Sequence, residues 1–266
     1  MTFFSLKLTV TTLIFLLYSS LLCGEIVLVS HDFSGLSSAE LNGQTATVFN
    51  PGITAAGGSA TWVASTDFKA DGSVTGTDSD AARLFLGDYI TDHLGTATGK
   101  FTLTATLNPA SGGDATDFLS LGYFTGAIAL SDDFASDDQN YAVGTALTRR
   151  INDSSDFFVG RGADNSINAI TGTGLRTFSI EFDFTPEGGY NGTTNFGTVT
   201  FDSDNLVGSL PFYSYNSAVD IQYIGITRDD NVQGNFSALS LTQIPEPSSL
   251  LLIFIAGMGL FMVRRR

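Results

Sequence analysis

The chain has 266 residues, of which 43% are apolar and 15% charged, with 29 glycines, 22 phenylalanines and a single cysteine. A formal charge of −15 works against a nucleic-acid partner, because affinity for a phosphate backbone comes largely from lysine and arginine. One cysteine and two histidines exclude an intrachain disulfide framework and a thiolate zinc cluster and leave little for a histidine-built metal site, while the length fits one large all-β domain.

The N-terminus reads as a targeting segment. A short start with one cation, Lys7, is followed by an uncharged apolar run over residues 8–22 and then Cys23-Gly24-Glu25. That order of charged, apolar and small residues is a secretory signal, expected to occupy residues 1–24 and to be cut beside Cys23 or Gly24. A lipidated Cys23 is the alternative. It is the weaker one, because such signals carry a small residue before the cysteine and Leu22 is not small.

Residues 25–243 are expected to form the exported domain. Between residues 24 and 244 there are 26 acidic and 8 basic side chains, a net of −18. Aspartate far outnumbers glutamate and methionine is absent there, so turn formers abound and good helix formers are scarce. Strands are predicted in chain order at 26–32, 45–49, 60–64, 82–87, 101–107, 118–124, 141–147, 156–160, 175–184, 197–202, 219–227 and 235–243. Two of them show strict period-two alternation. Phe101, Leu103, Ala105 and Leu107 alternate with Thr102, Thr104 and Thr106, and Phe178, Ile180, Phe182 and Phe184 alternate with Ser179, Glu181 and Asp183. Turn signals such as Asn50-Pro51-Gly52, Asp71-Gly72 and Glu187-Gly188-Gly189 separate the strands, and no sustained helical periodicity intervenes. Twelve half-buried strands hide their apolar faces most simply as two packed sheets, so the expected architecture is an all-β, antiparallel, jelly-roll-like β-sandwich.

At the C-terminus Pro245-Glu246-Pro247 precedes an uncharged apolar run over 250–263, and Arg264-Arg265-Arg266 closes the chain. Fourteen apolar residues make ~21 Å of helix, which Ser248 and Ser249 extend toward the ~30 Å hydrocarbon core, so one short transmembrane helix is expected over 248–263. The terminal arginines would hold that end in the cytoplasm. These residues resemble the PEP-CTERM sorting signal of proteins exported by Gram-negative bacteria, over residues 244–266. The resemblance implies Pro245, Glu246, Pro247, Arg264, Arg265 and Arg266 as the sorting motif and an exosortase-type membrane peptidase as partner. It also implies a precursor anchored in the inner membrane, then a place at the cell surface or outside it, often beside extracellular polysaccharide.

The order of features between 25 and 243 also resembles laminin-G and concanavalin-A-like sandwiches. The carriers are Asp32-Phe33-Ser34-Gly35, Ala60-Thr61-Trp62, the strand ending at Leu107 with Phe118 to Phe124 after it, and the closing strand Phe236 to Leu241. That fold is often carbohydrate-binding and sometimes calcium-dependent. Glucanases of the fold carry paired carboxylates on one strand, which makes Glu181 and Asp183 weak catalytic candidates, since retaining hydrolysis needs two carboxyls ~5–5.5 Å apart. Here the third carboxylate, Glu187, falls one residue late and Pro186 ends the strand before it, so a polar outer face is the competing reading. No cofactor is expected with the exception of calcium, for which Asp132, Asp133, Asp137 and Asp138 are weak candidates, with Asp78, Asp80, Asp202 and Asp204 behind them. Trp62, Tyr123, Tyr190, Tyr213 and Tyr215 are the rings available to stack on sugar, with core packing as the alternative. No G-x-S-x-G elbow occurs, and His31 and His93 have no recognisable partner in sequence.

Overall fold

In the computed structural model the described residues are 24–33, 41–65, 68, 73–74, 80–109, 118–124, 126, 130, 146–150, 156–160, 166–168, 176–188, 190, 198–203, 206–211, 221–228 and 234–244. Among them strands form, numbered in chain order, and pair into two antiparallel sheets; the predicted strand 45–49 is strand only at 48–49, that at 219–227 starts at 223, and residues 141–145 of the predicted strand 141–147 lie outside the described residues. The first sheet contains β1 (Ile26–Asp32), β2 (Val48–Phe49), β4 (Ser73–Val74), β6 (Lys100–Pro109), β11 (Arg176–Asp183), β12 (Thr198–Ser203), β13 (Leu206–Pro211) and β15 (Gly234–Gln243). Its order is β13-β12-β11-β6-β15-β1-β2, with β4 added to the start of β15. The second sheet contains β3 (Gly57–Ala64), β5 (Asp80–Gly87), β7 (Phe118–Phe124), β8 (Ala146–Arg150), β9 (Asp156–Gly160), β10 (Ser166–Asn168) and β14 (Tyr223–Arg228), in the order β10-β9-β8-β7-β14-β5-β3. This is the antiparallel β-sandwich expected from the alternation, and its folded unit runs Val27–Gln243.

The period-two pattern sets which face is buried. On β6 Phe101, Leu103 and Ala105 are buried, and on β11 Ile180 and Phe182, while the intervening threonines, Ser179, Glu181 and Asp183 are half-exposed. The register that brings them together is regular, with Ile180 opposite Leu103 and Phe182 opposite Phe101. From the other sheet Leu84, Leu86, Tyr123, Ile224 and Ile226 complete one continuous core. Tyr123 of β7 meets Phe182 of β11 edge to face at 4.3 Å between centroids, so the sheets interlock through aromatic rings. Each such ring contributes ~1.5–3 kcal/mol through removal of its surface from water.

Three short strands were not legible in the alternation, β4, β10 and β13. The first two have two and three residues, and β13 carries Gly208 and ends on Pro211, so neither length nor pattern marks them. The Asn50-Pro51-Gly52 turn signal is in fact the start of a one-turn helix, α1 (Pro51–Ala55). Asn50 caps it by accepting the Gly52 N–H at 2.8 Å, and Pro51 occupies a first-turn position where its missing N–H costs nothing.

Candidate functional site

The two carboxylates that sequence singled out lie on the outer face of β11, and each is held by structural partners. Glu181 pairs with Lys100 on the adjacent strand at 2.9 Å, with both side chains nearly a third exposed. Asp183 Oδ1 accepts the Thr185 N–H at 3.0 Å and the Thr185 hydroxyl at 2.5 Å, while the Gly188 N–H donates to that hydroxyl oxygen. Asp183 therefore organises the turn through Pro186 and Glu187 that ends the strand. An ion pair this exposed is worth ~0.2–1 kcal/mol. Glu181→Gln should accordingly lower the unfolding free energy by less than about 1 kcal/mol and leave polysaccharide reducing ends at the level of the parent protein, measured by denaturant titration and a reducing-sugar assay.

The calcium candidates Asp132, Asp133, Asp137 and Asp138 lie outside the described residues, as do Asp78, Asp204, Tyr213 and Tyr215. Among the described residues no group of three or more His, Cys, Asp or Glu side chains is placed to hold a metal ion. Trp62 and Tyr123, weighed as sugar-stacking rings, are fully buried and belong to the core. Tyr190 packs against that core from its edge.

Trp62 instead has an intramolecular partner, His31. The indole N–H donates to His31 Nδ1 at 2.9 Å, and the imidazole stacks on Phe33 at 4.5 Å. An indole nitrogen can only donate, so Nδ1 is the bare nitrogen and Nε2 carries the proton, buried with no partner among the described residues. Burial pushes the His31 pKa below its usual 6.5, a shift that the Asp32 charge only partly offsets. The unfolded chain thus takes up a proton at a pH where folded His31 stays neutral, and protonating the folded form would break the bond from Trp62. Stability should fall as pH drops below about 6.5, before ordinary carboxylates titrate. His31→Asn, which keeps an acceptor for the indole, should flatten the melting temperature between pH 7 and 5.5.

The outer face of the first sheet is lined with hydroxyls. Thr104 and Thr106 of β6 are hydrogen-bonded across the ladder to Ser179 and Thr177 of β11 at 3.0 and 3.1 Å. On the other side of β6, β15 presents Ala238 and Ser240, and beyond it β1 presents the half-buried Ser30 and the exposed Asp32. Thr104, Thr106, Ala238, Ser240, Ser30 and Asp32, with His31, Thr47 and Leu239, line a cavity of about 190 Å³. The sequence showed the threonines as an outer face; the cavity needs β6, β15 and β1 side by side.

The end of β15 is fixed. Gln243, its last residue, is 3% exposed. It accepts the Tyr89 hydroxyl at 2.9 Å and donates to the Thr98 carbonyl at 2.7 Å. Tyr89 also lies against the His93 ring at 4.5 Å, and its own carbonyl is 2.6 Å from His93 Nδ1. Burial raises the Tyr89 pKa.

The family model for the PEP-CTERM protein-sorting motif matches residues 243–266, so the match starts on the residue that closes the last strand. The chain carries a PEP-CTERM sorting motif. Its Pro245, Glu246 and Pro247 and the arginines Arg264, Arg265 and Arg266 lie outside the described residues, as does the apolar run between them. Among the described residues no helix is long and apolar enough to cross a membrane. No curated protein matches the chain. Solved structures similar to it include carbohydrate recognition domains, a carbohydrate esterase and a sialidase. The potassium-bound carbohydrate recognition domain of Emp46p is 10% identical at a TM-score of 0.43, covering 68% of this chain and 87% of that one. The carbohydrate esterase vb_24B_21 of Shiga toxin-encoding bacteriophage phi24B is 14% identical at 0.44, covering 82% and 99%. The exoplasmic domain of VIP36 in its Ca²⁺/Man3GlcNAc-bound form is 10% identical at 0.41, covering 69% and 83%.

Proposed function

We propose that this chain is an exported envelope protein, passed by an exosortase-type peptidase to the cell surface, where its sandwich binds extracellular polysaccharide as a structural or adhesive component. The observation that carries this reading is the junction at Gln243. The sorting motif begins on the residue that seals the fold, so the sandwich is the cargo and the tail is its address. In this reading residues 1–24 are the export signal, 25–243 the surface domain, and 248–263 the helix that anchors the precursor in the inner membrane, with Arg264, Arg265 and Arg266 on the cytoplasmic side. The outer-face hydroxyls of the first sheet fit contact with a polyhydroxylated polymer. The engagement of Glu181 by Lys100 and of Asp183 by its own turn gives the hydrolase alternative no free pair of carboxylates on that strand. Calcium would be held by Asp132, Asp133, Asp137 and Asp138.

Two measurements test this. In cells that contain the sorting peptidase, the Pro245→Ala, Pro247→Ala double variant should remain in the membrane fraction at full length while the parent is shortened. On a glycan array, the exported protein should retain at least one polysaccharide, with and without calcium. Normal processing of the double variant would overturn the sorting assignment, and an empty array would overturn polysaccharide binding.

A further inference from the structure

We propose that the groove on the outer face of the first sheet is a binding site for one uncharged hexose unit of a polysaccharide. The inference rests on the polysaccharide-binding reading and gives it a location and a chemical preference. The floor of the groove is β15 at Ala238, Leu239 and Ser240. Its rims are Thr104 and Thr106 of β6 on one side and Ser30 and Asp32 of β1 on the other. Two inter-strand spacings separate the rims, about 9.5 Å. At about 190 Å³ the cavity is smaller than the ~300–1,000 Å³ of pockets that enclose drug-sized ligands, and it suits a single sugar ring. It is partly open to solvent, so the rest of the polymer can continue outside it.

The donors and acceptors are already oriented. In each cross-strand pair, Thr104 with Ser179 and Thr106 with Thr177, one hydroxyl hydrogen and one lone pair are used. Every hydroxyl brings one donor and two acceptor sites, so each pair keeps about one O–H and three lone pairs for a ligand. Their rotamers are held by the bond between them, which lowers the entropy lost when a ligand docks. Asp32, exposed on the opposite rim, supplies a carboxylate that accepts from neighbouring sugar hydroxyls, and such charge-assisted bonds are roughly twice as strong as neutral ones. The methyl groups of Ala238 and the threonines offer apolar surface to the C–H face of the ring. The charge of the domain sets the preference, because a net of −18 repels uronate and sulfate polymers and leaves neutral ones.

Affinity per unit is modest in a site whose described lining holds no Trp, Tyr or Phe, and a repeating polymer compensates by presenting many units. The test uses the full-length protein, expressed with its own export signals and purified in detergent. It is titrated calorimetrically with dextran, yeast mannan and a neutral galactan, with alginate as the acidic comparison. Two variants accompany the parent. Ser240→Leu fills the groove, and Asp32→Asn removes a rim charge while keeping the side chain's size, with thermal unfolding of each variant measured beside the parent. The expected result is binding of at least one neutral polymer over alginate, a loss of tenfold or more in Ser240→Leu, and a loss of threefold to tenfold in Asp32→Asn. Parent binding that is unchanged in both variants would overturn the groove while polysaccharide binding stands. Binding of alginate alone would overturn the preference for neutral sugar. A parent that binds none of the neutral polymers overturns the site. If the glycan array is empty as well, the polysaccharide reading falls with it.

Discussion

Replacing Trp62 with alanine should cost the sandwich about 3–5 kcal/mol, the largest loss expected of any single truncation in the core. The residue has no exposed surface and sits on β3, facing the strand that opens the first sheet. Two penalties add. Removing the indole leaves a cavity that two interlocked sheets cannot close, and it strips His31 Nδ1 of its donor at 2.9 Å. Since His31 Nε2 already lacks a partner among the described residues, the variant would hold an imidazole in the interior with neither nitrogen satisfied by them. Trp62→Phe separates the two terms, because it restores most of the volume but not the N–H, and it should cost about 1–3 kcal/mol. Denaturant unfolding followed by circular dichroism measures both, with the m-value held constant as a check that the native state is unchanged. A loss below 1 kcal/mol in Trp62→Ala would mean that the ring does not fill the space between the sheets.

Trp62 also marks the boundary of what sequence patterning could reveal. It stands in a strand where residues alternate in exposure, and the alternation is visible in the sequence; the ring's direction is not, because it depends on a histidine 31 residues earlier in the other sheet. The strands β6 and β11 were legible for the opposite reason. Their apolar and polar residues alternate without interruption, so one face had to be core and the other solvent. The same alternation placed Glu181 and Asp183 on a shared face and left their roles open. Those roles depend on Lys100, which stands 81 residues earlier in the chain and opposite Asp183 only by register, and on the turn that follows the strand. The hydroxyl groove lay beyond any local reading. It needs β6, β15 and β1 side by side, and Thr104 is opposite Ser240 across 136 residues of sequence. The sorting motif needed none of this, since Pro-Glu-Pro, an apolar run and terminal arginines are contiguous, and an address read as a linear tail is legible as one.

The junction between that address and the fold depends on a glycine far from it in sequence, and Gly87→Ala is expected to disturb it by about 2–5 kcal/mol. Gly87 ends β5 with φ of +60°, a conformation that costs a side chain ~1–2 kcal/mol. A Cβ there would lie 2.0 Å from the Ala56 carbonyl oxygen and 2.7 Å from the Gly58 nitrogen, both main-chain atoms with nowhere to go. The Ala56 oxygen is tied by the Asp88 N–H at 3.0 Å, and Gly57 pairs with Gly87 across the β3–β5 ladder. Overpacking of this kind adds ~1–3 kcal/mol to the strain. The segment that must yield carries Tyr89, whose hydroxyl holds Gln243, so the strain is released where the last strand meets the sorting motif. Gly43→Ala is the matched comparison. Its φ of +81° imposes similar strain, but nothing lies within 4 Å of its Cβ, so the loss should stay near 1–2 kcal/mol. Thermal unfolding ranks the two, and amide exchange at Tyr89 and Gln243 should accelerate only in Gly87→Ala, because only there does backbone block the new methyl group. Equal losses in the two variants would show that the close approach of β5 to α1 does not restrain the end of the fold.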